Sequence, residues 1–139
     1  MPYATLADME ARYGIEEIIA RTNRTDGAGV DTVVLDRALQ DADAEIDAYL
    51  STRYALPLPA VPKILVRIAC DIARYHLWQE MASDEVRRRY EDAIRLLGNI
   101  AKGLISLGID ANQPKPVLSS AAAQTGSPPV FSRDATGGY

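Results

Sequence analysis

The chain has 139 residues, 47% hydrophobic and 24% charged, ordinary values for one soluble globular domain. Fifteen Lys and Arg against nineteen Asp and Glu leave a net charge of −4, which argues against broad attraction to nucleic acid or anionic lipid. One cysteine excludes an intrachain disulfide framework and a multi-cysteine metal site, and one histidine excludes two-histidine zinc motifs.

Thr5 is placed to cap a first short helix through Leu6, Ala7, Met9 and Tyr13, with Asp8 in its first turn. Gly14 suits the stop. A second short helix is expected from Ile15 to about Arg21, with Ile15, Ile18 and Ile19 on one face. Residues 23–30 (NRTDGAGV) read as a loop.

Asp31 or Thr32 can cap a long third helix. Leu35, Leu39, Ala42, Ile46, Tyr49 and Leu50 recur at steps of three and four, one helical face. Asp36, Arg37, Gln40, Asp41, Asp43, Glu45 and Asp47 lie opposite. Pro57, Pro59 and Pro62 predict an end near Tyr54. Pro62 then fits the first turn of a fourth helix. From Val61 to Trp78 this segment is apolar almost all round, apart from a stripe of Lys63, Arg67, Asp71 and Arg74. Such a helix sits centrally. The stripe's spacing allows Arg67–Asp71 and Asp71–Arg74 contacts.

Ser83 opens a fifth helix with Asp84 and Glu85 behind it. Val86, Tyr90, Ala93, Ile94, Leu97, Ile100 and Ala101 form its apolar stripe, and Gly103 lies at its end. Residues 104–109 (LISLGI) read as a brief strand or an extended cover over the core. The fold class is therefore all-α: a small helical bundle with a central buried helix and an extended C-terminal tail.

The tail shows as a shift in composition. Residues 111–139 hold four of the eight prolines, three of the nine glycines and the only phenylalanine, with three charges: Lys115, Arg133 and Asp134. Residues 1–110 carry the other 31 charges at a net of −5. This divides the chain into a folded unit, 1–110, and a Pro/Ser/Ala-rich arm, 111–139, that cannot bury a core alone.

No apolar run approaches the roughly 20 residues needed to span a bilayer. The start, Met1-Pro2-Tyr3-Ala4, lacks the basic segment and apolar core of a signal peptide. An intracellular, soluble protein is expected.

Few residues form a chemical pattern. Residues 26–31 (DGAGVD) suggest a calcium loop. Setting Gly27 or Gly29 at the turn position places Arg24 among the ligands and Val33 or Leu35 at the bidentate-acid position, so both registers fail. The same loop lacks the lysine and spacing of a phosphate-binding loop. Asp36, Asp43 and Asp47 share a helix face, but no apolar surroundings raise a pKa for acid catalysis, and a solvated face results. Cys70 and His76 lie about 240° apart around one helix, too far for a nucleophile–base pair; a core thiol and an edge imidazole are expected. Arg87-Arg88-Arg89 with Arg95 makes the one basic patch. Asp84, Glu85, Glu91 and Asp92 share that helix, and Arg87–Glu91, Arg88–Asp92 and Glu91–Arg95 are spaced for pairing. The patch reads as a solvated or subunit-facing stripe. The alternative is a small helical DNA-binding or regulatory protein that uses it. In the tail, Val130, Phe131, Ser132, Arg133 and Asp134 form a compact cluster, with Val130 and Phe131 as anchors for a groove and Arg133 for a carboxylate.

The order of four stretches resembles a known family: residues 3–14 (YATLADMEARYG), 41–78 (DADAEIDAYLSTRYALPLPAVPKILVRIACDIARYHLW), 90–108 (YEDAIRLLGNIAKGLISLG) and 130–139 (VFSRDATGGY). Together they are similar to the head–tail adaptor (connector) proteins of Mu-like phages and prophages. The resemblance implies an all-helical virion protein without catalytic activity or cofactor. It implies a homo-oligomeric ring of about twelve subunits at the neck, assembled in the host cytoplasm beneath the portal protein. Such a ring extends the channel through which DNA passes and docks the next tail-proximal protein, with no membrane partner. Phe131 to Asp134 carry over as a contact segment. On that reading a body net of −5 suits a channel that passes DNA without gripping it, with Asp36, Asp43 and Asp47 facing the lumen.

Overall fold

The computed structural model describes residues 2–109. The expected arm over 111–139 lies outside the described residues. Five α-helices and one 3₁₀ turn form the body, and no strand occurs among the described residues. The chain is all-α.

α1 spans Leu6–Tyr13 and α2 spans Ile15–Thr22. Thr5 and Asp8 form a capping box: the Thr5 hydroxyl accepts from the Asp8 N–H at 3.3 Å, and the Asp8 carboxylate accepts from the Thr5 N–H at 2.9 Å. Gly14 separates the two helices with φ 88°, a left-handed value that a side chain would strain. The loop after α2 is a polar turn. Thr22 donates to the Ile18 carbonyl at 2.7 Å and accepts from the Asp31 N–H at 3.1 Å, which closes the loop at its base. Asn23 donates to Asp26 and to the Gly29 carbonyl across its interior.

α3 spans Thr32–Leu50. The Asp31 carboxylate caps it, accepting from the N–H groups of Val33 and Val34. The helix stops at Leu50, earlier than the prolines alone predict. A turn at 51–54 comes next, with the Arg53 and Tyr54 N–H groups on the Leu50 carbonyl.

α4 spans Lys63–Trp78 after a Pro62 cap. It touches each of the other four helices, the central position that its apolar circumference requires. Eight of its residues are buried, including Leu65, Ile68, Ile72 and Leu77. Burying each large aliphatic side chain contributes about 1.5–3 kcal/mol. Gln79 then takes φ 55° and ψ −130°, rare for a residue with a side chain, and opens the 3₁₀ turn Gln79–Met81.

α5 spans Asp84–Ala101, capped by the Ser83 hydroxyl on the Val86 N–H at 3.3 Å. Gly103 turns the chain with φ 82°, and a Cβ there would lie 2.5 Å from the Arg53 guanidinium carbon. Residues 104–109 form the cover rather than the strand: Leu107 is buried and its N–H reaches the Tyr54 hydroxyl at 3.4 Å.

Candidate functional site

Asp36, Asp43 and Asp47 all lie on α3, but the structure gives them different surroundings. Asp36 is exposed. Asp43 accepts from the Tyr3 backbone N–H at 3.1 Å, and Asp47 accepts from the Tyr3 hydroxyl at 2.5 Å. The expected solvated face is thus partly covered by the N-terminal segment. Burial raises the Asp43 carboxyl pKa from its ordinary value, against the lowering pull of the Tyr3 N–H. Burial and the neighbouring Asp47 likewise push the Tyr3 hydroxyl up. Asp36 and Asp43 share a cleft of about 270 Å³ with Pro2, Leu6 and Leu39. The N-terminal segment is short and its partners lie some forty residues on, so periodicity carries no signal for this contact.

The four arginines singled out on α5 are exposed. Their ion pairs differ from the expected ones. Arg87 meets Asp84 at 3.5 Å, Arg89 meets Glu85 at 3.2 Å and Arg95 meets Asp92 at 2.6 Å. Each of these three reaches back toward the helix N-terminus, onto the acids of the preceding turn. Arg88 has no ion pair among the described residues. Exposed pairs of this kind contribute about 0–1 kcal/mol. The patch is therefore a mixed-charge stripe.

The α4 stripe also differs in part. Arg67 and Asp71 approach to 3.9 Å as expected. Asp71 and Arg74 do not pair. Asp71 accepts instead from the Tyr13 hydroxyl at 2.6 Å, and Arg74 pairs with Glu17 of α2. Trp78 donates its indole N–H to the same Glu17 at 3.0 Å, Arg74 lies over the Tyr13 ring, and Arg21 lies over the Trp78 ring. This network welds α1 and α2 to the central helix.

Cys70 is fully buried, and burial pushes its thiol up to about 12. His76 sits at the edge, 2.6 Å from Glu45 of α3. Tyr90 of α5 donates to the same Glu45 at 3.1 Å and stacks on Tyr75 at 4.1 Å between ring centroids. Burial, then the Glu45 charge, push the Tyr90 hydroxyl up to about 12. The cluster joins three helices. No group of three or more His, Cys, Asp or Glu side chains is arranged to hold a metal among the described residues, nor is any helix there long and apolar enough to cross a membrane. The tail cluster Val130, Phe131, Ser132, Arg133 and Asp134 lies outside the described residues.

Two surfaces carry the residues singled out in the sequence: the α3 face held by Tyr3 and the mixed-charge outer face of α5. Comparison with known proteins gives them a setting. The family model described as "Bacteriophage Mu, Gp36" matches residues 3–125. The "Mu-like prophage FluMu protein gp36" of Haemophilus influenzae is 34% identical over 137 residues, covering 99% of this chain and 97% of that one. "Gene product J" of Escherichia phage Mu is 35% identical over 140 residues, covering 99% of each chain. These matches span all five helices, so the chain belongs to the bacteriophage Mu Gp36 family of Mu-like phage proteins.

Proposed function

We propose that this phage protein is a structural head–tail adaptor that forms a ring beneath the portal, extends the DNA channel and docks the next tail-proximal protein. The observation that carries this reading is the match over almost the whole chain to phage Mu and Mu-like prophage proteins. The mixed-charge outer face of α5, where arginines and acids lie side by side, supports it. Such faces suit repeated subunit contacts through paired charges. The ring has about twelve subunits and sits in the virion neck. Its subunits meet through the stripe of Arg87, Arg88, Arg89 and Arg95. The α3 face with Asp36, Asp43 and Asp47 lines the lumen, and Val130 to Asp134 dock on the portal or the tail-proximal neighbour. The protein has no catalytic role on this reading.

Electron microscopy of the protein mixed with its portal tests the proposal. The expected image is an added ring on the tail-facing side of the portal. Portal particles that keep their unliganded outline at saturating protein would reject it. Deleting residues 125–139 tests the arm separately. Loss of portal binding and of infectious particles is expected, and unchanged binding and yield would remove the arm from the contact. A high-resolution ring with Asp36, Asp43 and Asp47 facing outward would reject the lumen placement alone.

A further inference from the structure

A further cleft lies on none of these surfaces. It has a volume of about 380 Å³ and opens between the end of α2, the loop after it, α3 and the last turn of α4. Three arginines line it: Arg21 from α2, Arg24 from the loop and Arg37 from α3. An arginine offers five N–H donors and no acceptor. Only one hydrogen bond is spent here among the described residues, from Arg24 to the Leu77 carbonyl at 2.9 Å. The Arg21 guanidinium lies 4.2 Å over the Trp78 ring, and its buried Nε has no hydrogen-bond partner. A buried donor of that kind is costly to leave unmet, whereas Arg24 and Arg37 are exposed and keep their donors available to a ligand. Gln79, with its left-handed backbone, also lines the cleft, and strain of that kind gathers where ligands bind.

Two carboxylates line the same cleft. Asp31 spends one oxygen capping α3, and Asp41 is exposed. Three cations face two anions, so the cleft is a small positive island on an acidic body. Its side walls include Val34 and Leu77.

We propose that this cleft binds the carboxylate side chain of an extended protein segment, with guanidinium groups of Arg21, Arg24 and Arg37 closing on its two oxygens. Paired N–H···O bonds of that kind are the strong, geometry-selective ones. A nucleic-acid backbone fits less well. It would bring successive phosphates against Asp31, Asp41 and the acidic surface around them. The site is independent of the ring assignment, since it needs only a partner that presents one acidic residue among small apolar ones.

Titration of the full-length ¹⁵N-labelled chain tests it. The probe is a blocked pentapeptide with one central glutamate among alanines, and the control is its glutamine twin. The Nε–H signals of Arg21, Arg24 and Arg37 and the Trp78 indole signal should move and saturate with the glutamate peptide only. Arg37→Ala should weaken binding about tenfold. Asp41→Asn should tighten it, because a repelling charge is removed. Both positions are exposed, so both variants keep the fold. Equal shifts with the two peptides, or shifts centred on the α5 arginines, would overturn the site. Saturation of the same signals by a twelve-base-pair duplex at lower concentration than the peptide would also overturn it, in favour of phosphate.

Discussion

Arg74 and Glu17 meet edge to edge: Nε lies 2.7 Å from one carboxylate oxygen and a terminal nitrogen lies 2.9 Å from the other. Their side chains are 11% and 22% exposed, so water screens the pair only in part. Removing one partner strands the other. Arg74→Ala is expected to cost about 2–4 kcal/mol in urea unfolding, with Glu17→Gln less because its amide still accepts. A loss under about 0.5 kcal/mol for Arg74→Ala would show that the pair contributes little.

The same carboxylate sets part of the acid response. Burial alone would raise the Glu17 pKa, but hydrogen bonds from Arg74 and Trp78, with the charges of Arg74 and Arg21, lower it below the ordinary 4.5. A depressed folded pKa favours the folded state above the unfolded pKa. That contribution is lost as pH falls through the folded value. Stability should therefore drop below about pH 4.5, and Glu17→Gln should flatten that part of the pH curve. An unchanged acid limb in the variant would refute the assignment.

Asp43 predicts the opposite sign. Its pKa is raised by burial, so the charged carboxylate costs stability at neutral pH, and protonation recovers it as pH falls through the folded value. Asp43→Asn keeps an oxygen for the Tyr3 N–H and removes the buried charge. It should leave stability within about 0.5 kcal/mol or improve it. Tyr3→Phe, which loses the bond to Asp47, should cost about 0.5–1.5 kcal/mol and speed hydrogen exchange at the N-terminus.

Cys70 should be inert. A buried thiol held near 12 offers almost no thiolate at pH 7.5. A thiol reagent should therefore label the native protein only at the rate of its unfolding, and label fully in denaturant. Rapid labelling under native conditions would contradict the packing of α4.

Duplex DNA should bind poorly. Arg87, Arg89 and Arg95 already face acids on their own helix. No binding tighter than about 10⁻⁵ M is expected at physiological salt. Submicromolar binding lost on Arg88→Ala would revive the regulatory alternative.

What the sequence made legible was local. Thr5, Asp31 and Ser83 cap the helices they precede, and Gly14 stops α1, because capping is decided within four residues. The all-round apolar run of α4 announced its central place. The pairing of charges was not legible. Arg74 had Asp71 three residues away and chose Glu17, 57 residues distant, because the packing of α2 on α4 brings that carboxylate into line with the guanidinium edge. The α5 arginines had acids on either side along the helix, and spacing alone did not say which way they turn. The positive cleft is assembled from four segments, so no stretch of sequence displays it.

The tie between Leu107 and Tyr54 fixes a tether point. It holds the end of the described chain, residues 107–109, beside the α3–α4 connection rather than at the tip of α5. Twenty-two residues lead from Ile109 to Phe131, so even a fully extended chain could carry the Phe131 Cα no more than about 80 Å from the anchor. Any surface that Phe131 touches must lie inside that radius of Ile109, and residues inserted between the two would widen it.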